Sequence, residues 1–230
     1  MRNTRFVHTL VEFIKIWLLC ICASVVYGIL HDQVTVRVSL EYFTIGHPPV
    51  FNTTSPTLLA LGWGVIATWW VGVLLGFPTA VIALAGRREK VTASDLVRPV
   101  GVLFAVAASM ALLFGMIGFV LAFTEVVKLP EKDIVMLPAG GALGYIAAGW
   151  AHNTSYAAGA VGAIVLWLWV GRKRTQLAQT TIAPSSEKRF TRGVVIGGII
   201  CAILWGGGLY AGYTIYQGFT DTYFPADGIS

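Results

Sequence analysis

The residues with chemical reach lie close together in one stretch. Between Tyr27 and Pro56 the chain reads YGILHDQVTVRVSLEYFTIGHPPVFNTTSP and holds His31, Asp32, Arg37, Glu41 and His47. Two imidazoles and two carboxylates (His31, Asp32, Glu41, His47) make a donor set that suits zinc, or another divalent ion with nitrogen and oxygen preference. Neither HExxH nor the helical Glu-x-x-His of di-iron bundles is present. Spacing argues against one shared ion. The step from Asp32 to Glu41 covers roughly 30 Å as a strand and about 13 Å as a helix. All four side chains are therefore expected not to converge. Glu41 is expected to pair with Arg37, while His31 and Asp32 cap the apolar run before them. No cofactor is expected, a divalent metal at this cluster being the alternative.

Two kinds of element would position these groups. Val34, Val36, Val38, Leu40 and Tyr42 alternate with Thr35, Arg37, Ser39 and Glu41, a period of two that suits a strand with one polar face. A helix fits as well, because it would place Arg37 and Glu41 at i, i+4. His47-Pro48-Pro49 ends either element and starts an extended link.

The surroundings define the class. Of 230 residues, 56% are hydrophobic and only 12% charged, and mean hydropathy is +0.74. Soluble domains carry about 25% charged residues. The net charge of +5 sits in short basic clusters beside apolar runs, a topology signal rather than a nucleic-acid footprint. Cys20, Cys22 and Cys201 lie inside apolar runs and form neither a disulfide framework nor a zinc motif.

The expected fold is an all-α integral membrane bundle of five spans, about 13–30, 58–85, 100–123, 154–170 and 193–216. A helical crossing takes about 20 residues. The first span is expected to be retained rather than cleaved, since no small-x-small site follows it, with Glu12 and Lys15 paired near the surface. Outward loops are expected at 27–57 and 124–153, and inward links at 86–99 and 171–192. The run from Ile134 to Gly171 contains no Asp, Glu, Lys or Arg. With a single crossing there, thirteen of the sixteen Lys and Arg residues fall on one side. The positive-inside rule then leaves the Gly-rich part, 134–152, as a re-entrant or interfacial segment. This is expected to place the N-terminus on the cytoplasmic side and the C-terminus outside.

A second polar group, His152-Asn153-Thr154-Ser155, precedes the fourth span. It is expected to cap that helix through Asn153 or Thr154, or to bring His152 onto the 31–47 loop. Trp17, Trp167 and Trp169 are expected in the inner aromatic belt, and Tyr145, Trp150 and Tyr156 in the outer one. The small-residue pairs Gly72/Gly76, Ala111/Gly115, Gly140/Gly144, Gly193/Gly197 and Gly208/Gly212 suit close helix packing, within the chain first and between copies second. The span interiors beyond Leu58 hold no ionisable residue, which disfavours a proton relay. No P-loop, dinucleotide fingerprint or GxSxG elbow occurs in a suitable context.

The run Tyr27–Phe51, continued by SPTLLALGWGVIATWWVG and more loosely by AHNTSY at 151–156, resembles a group of uncharacterised bacterial multi-pass membrane proteins. The resemblance implies a bacterial inner membrane and no particular chemistry. The leading expectation is thus a non-enzymatic membrane protein whose outward face (27–56) docks a membrane partner or stabilises an assembly, a homo-oligomer included. The functional candidates are His31, Asp32, Arg37, Glu41, His47 and His152. A metal-dependent membrane enzyme is the alternative, and a small-solute permease the weaker one. Nucleic acid is not an expected partner.

Overall fold

The computed structural model describes residues 2–86 and 88–181. The fifth expected span, the C-terminal tail, half of the 171–192 link and two of the small-residue pairs lie outside the described residues. The rest is helical, with no strand among the described residues. In chain order the helices are α1 (Arg2–Val38), α2 (Glu41–Thr44), α3 (Pro56–Ile66), α4 (Trp69–Leu84), α5 (Ala93–Phe123), α6 (Glu131–Ile134) and α7 (Gly141–Thr181). Four segments are long and apolar enough to cross a membrane: Phe6–Val38, Pro56–Leu84, Ala93–Phe123 and Gly141–Gln179. α1 packs along α3 and α4, and α5 along α7; smaller contacts of α1 with α5 and of α4 with α7 join the two pairs.

The period-two stretch is helix. Asp32, Thr35, Val36 and Ser39 are buried while Val34, Arg37 and Val38 are exposed, an i, i+3, i+4, i+7 face. A strand would have buried the three valines together. The loop expected from residue 27 therefore begins only at Ser39. The helix stops there and the chain turns, which ends the i, i+4 relation of Arg37 to Glu41.

α7 also departs from the expected boundaries. It runs unbroken from Gly141, so Thr154 does not start a helix, and Asn153 and Thr154 are interior rather than caps. The Gly-rich residues 141–150 are its first turns, continuous with the fourth span. At the other end α7 passes through Arg172, Lys173 and Arg174, in place of the expected link.

Close crossings explain the placement of glycine. A Cβ on Gly64 would lie 2.6 Å from the Ile29 nitrogen of α1, and one on Gly72 would lie 2.5 Å from the Ile21 Cα. Gly72 and Gly76 both face α1, and Gly115 faces Ala147 and Ala151 of α7, so these pairs serve contacts within the chain.

Between α3 and α4 the helix breaks at Ala67–Thr68, and the freed carbonyls need donors in apolar surroundings. The Thr68 hydroxyl donates to Gly64 O at 2.5 Å, and the Tyr156 hydroxyl to Ala67 O at 3.4 Å. Near Pro78, which cannot donate, Trp17 Nε1 donates to Val73 O at 3.3 Å and Trp167 Nε1 to the buried Thr79 hydroxyl at 3.0 Å. Trp167 and Tyr156 thus serve the interior rather than an aromatic belt.

The N-terminal part of α1, the 85–92 link and the end of α7 meet at one end of the bundle. Lys90 Nζ donates to Thr9 Oγ1, and Ala93 N–H donates to Glu12 Oε2 at 3.1 Å. Glu12 pairs with Lys15 at 2.9 Å, as expected.

Candidate metal centre

The opposite end is built on the last two turns of α1. Beyond Val38 the segment 39–47 folds back as a cap. Ser39 Oγ accepts from Tyr42 N–H at 3.2 Å and donates to Glu41 Oε2 at 3.1 Å, starting the one-turn α2. Phe43, buried against Val36, Leu59 and Ala60, anchors the cap. Burying a phenylalanine stabilises by about 1.5–3 kcal/mol, enough to hold so short a segment.

Beneath the cap the structure joins three side chains from two helices. His31 and Asp32 come from α1 and His152 from α7, 120 residues further on. One ligand atom from each lies within 4.8 Å of the others. Atoms sharing an ion at 2.0–2.2 Å stand at most about 4.4 Å apart, so small side-chain rotations would close the set. Asp32 and His152 are 4% and 8% exposed, both buried. The His31 and His152 rings meet edge to face at 4.6 Å. Tyr42, at 4.7 Å from His152, and Phe43, at 5.7 Å, close the site from the cap, and Tyr27 packs on His31.

Hydrogen bonding at His152 carries the chemistry. Its Nδ1 faces the Ala148 carbonyl at 2.9 Å and must donate there. Its Nε2 faces Asp32 Oδ1 at 3.2 Å. A neutral ring protonated at Nδ1 would put a lone pair against a carboxylate. Either a proton or a metal ion must mediate that contact. His31 adds to the demand, for its Nε2 is buried without a hydrogen-bond partner. A polar atom left so inside a protein costs about 1–3 kcal/mol. Two histidines and one carboxylate form the donor set of open catalytic zinc sites and of non-haem iron(II) centres.

The other expected residues stand apart. Arg37 is exposed; its Nη1 donates to Gln33 O and Oε1 at 2.5 and 2.7 Å, and its Nη2 to Thr57 Oγ1 at 3.2 Å. Glu41 is taken by Ser39, so the expected Arg37–Glu41 pair does not form. His47 donates from Nδ1 to Tyr42 O at 2.7 Å and stacks on Phe43. Burial holds its pKa below the ordinary histidine value, opposed by the Tyr42 hydrogen bond. His31 and Asp32 are not caps at a helix end but lie within α1, turned onto α7. His152 meets His31 and Asp32 themselves, the sharper of its two expected roles.

The sequence reading missed Arg174, which is 2% exposed. Its guanidinium donates to the carbonyls of Ile82, Ala85 and Glu89 at 2.6, 2.6 and 2.8 Å, and to Arg88 O at 3.3 Å. It thereby satisfies the C-terminal end of α4. No Gly or Pro lies between Arg172 and Thr181, the signal that α7 continues.

Comparison of the chain with protein-family models, with curated proteins and with solved structures finds no match. Four segments long and apolar enough to cross a membrane, with a largely buried His–Asp–His group beneath a folded cap, define the class. This is a helical membrane-type bundle with a candidate metal site.

Proposed function

We propose that this chain is an integral membrane protein that binds one divalent transition-metal ion between His31, Asp32 and His152, zinc and iron(II) being the two ions this donor set suits. The supporting observation is the His152–Asp32 contact, in which Nε2 meets a carboxylate while Nδ1 is committed to the Ala148 carbonyl. An ion there satisfies Asp32, His152 and the unpartnered His31 together. Three protein ligands leave a coordination position open, the stoichiometry of a catalytic rather than a structural site. The bound ion would supply Lewis acidity.

The proposed setting is a bacterial inner membrane with the basic end cytoplasmic. The thirteen-to-three division of Lys and Arg supports that orientation, as does the meeting of Thr9, Lys90 and Arg174 near one end of the bundle; the bacterial membrane rests on the resemblance of Tyr27–Gly72. Docking of a membrane partner on the outer face is a second reading, favoured by the exposure of Ile45 and Val50 around the cap.

Elemental analysis of protein purified in mild detergent tests the metal. We expect about one ion per chain, lost in both His31→Ala and His152→Ala and kept in Glu41→Ala and His47→Ala. Affinity should fall by more than about 100-fold, since even groups outside the ligand shell are worth 10–100-fold. Metal retained in both ligand variants would remove the reading.

A further inference from the structure

An apolar groove of about 770 Å³ runs between α1 and α5 and is floored by Ala147, Ala148 and Ala151 of α7. Over Gly101–Phe119 it extends about 27 Å, at 1.5 Å per residue. Its rim is open: Val26, Leu30 and Val34 on α1 and Leu112 and Met116 on α5 are all more than half exposed. In a bundle set in a bilayer, such a rim faces hydrocarbon. Gly101, Ala105, Ala108, Ala111 and Gly115 on the α5 wall are small and leave room for a chain between the larger Phe104, Leu112, Met116 and Phe119.

Three polar side chains line the groove, Tyr27, His31 and Thr35. Tyr27 shares a hydrogen bond with Ser155 at 2.6 Å, and Thr35 donates to His31 O at 3.1 Å. Only His31 keeps a buried ring nitrogen without a partner, and His31 alone belongs to both the groove and the three-ligand group. A molecule in the groove therefore lies against His31, one member of the three-ligand group.

We infer that the groove admits a long-chain carboxylate from the bilayer, its chain between α1 and α5 and its head group at the open position of the ion. The inference rests on the metal reading above. Charge selects the head. A divalent ion with the Asp32 carboxylate and two neutral imidazoles carries one net positive charge in a site walled by apolar and aromatic groups. A monoanion neutralises it. Shape selects the chain. The volume falls within the roughly 300–1,000 Å³ of small-molecule sites, and one narrow groove takes one chain rather than the two of a phospholipid.

The test measures palmitate binding by native mass spectrometry from mild detergent, with zinc content determined on the same samples. The variant is Gly101→Leu, because Gly101 lines the groove and a Cβ there meets no atom within 4 Å. We expect one palmitate per zinc-loaded wild-type chain. Affinity should be weaker by about tenfold or more in Gly101→Leu, which keeps its zinc, and by a similar factor after chelation of zinc from the wild type. Ala108→Phe, on the same exposed wall, should repeat the result. A dipalmitoyl phospholipid binding as well as palmitate would identify ordinary bilayer lipid and overturn the inference. So would undiminished palmitate binding in both groove variants. Zinc bound without palmitate would overturn this inference alone; wild-type protein that takes up neither zinc nor iron(II) would overturn both readings.

Discussion

Both ends of the helix bundle bury charged groups, but they treat them differently. At the end that gathers Glu12, Lys90 and Arg174, each charge has partners. Arg174 donates to four carbonyls, and Glu12 accepts from Lys15 and from the first amide of α5. At the other end His152 presents a nitrogen to a carboxylate that needs a proton or an ion between them, and His31 Nε2 has no partner. Fully satisfied buried polarity is a device for holding helices together. Unsatisfied buried polarity, in a native fold, calls for an explanation, and a bound ion is one.

The comparison breaks hardest at Arg174. Arg174→Ala would orphan carbonyls at the end of α4, at about 1–3 kcal/mol for each buried one that water cannot reach. A total loss of about 3 kcal/mol or more is expected, read as a lowered thermal midpoint in detergent, with metal content per folded chain unchanged. A shift of less than about a degree would show that the Arg174 contacts are dispensable.

Asp32→Asn should act with opposite sign in the two states of the protein. In the metal-free chain the side-chain amide so introduced can donate to His152 Nε2. It replaces a buried carboxylate whose contact with His152 must otherwise take up a proton, so stability should rise by about 1 kcal/mol. With zinc added, wild type should gain stability and the variant should not, since its charged ligand is gone. Thermal unfolding with chelator and with zinc separates these outcomes. A variant that is destabilised with chelator present would mean that Asp32 is already satisfied without an ion.

The smallest effect concerns His47, beside the centre yet held by the Tyr42 carbonyl and stacked on Phe43. Burial lowers its pKa in the folded state, so the unfolded chain takes up the proton more readily. Its contribution to stability is complete above the ordinary histidine pKa of about 6.5 and declines as pH falls from there toward the lowered folded value. Replacing His47 by Gln should flatten that part of the stability–pH curve. A curve of unchanged slope would assign the acid sensitivity to other groups.

Hydropathy makes the apolar segments legible, and each of the first four expected spans falls on one long apolar segment of the bundle. The helices that carry the first and the fourth run on past the expected span at both ends. Hydropathy ends a span at Arg172, whereas helix continues wherever each backbone group finds its i−4 partner, charged or not. The strand reading of 34–42 fails because alternating types in a short window fit two periods equally well. Only the buried face, Asp32, Thr35, Val36 and Ser39, chooses between them. As donors, Glu41 and His47 look equivalent to His31 and Asp32 in the sequence. The turn after Val38 sends them to the cap, away from the centre.

What this sequence determined by itself was local and additive: apolar lengths, basic clusters at one end, the Glu12–Lys15 pair, and the stretch that holds the reactive groups. These follow from transfer energies and neighbour spacing, which composition and order along the chain already contain. The tertiary structure alone decided that His152 completes the His31–Asp32 pair and that Arg174 closes α4. Such meetings depend on how far each helix is rotated and how deep it sits against its neighbour. Those two quantities are set by packing at the Gly64 and Gly72 crossings and along α5 and α7, between residues far apart in the chain.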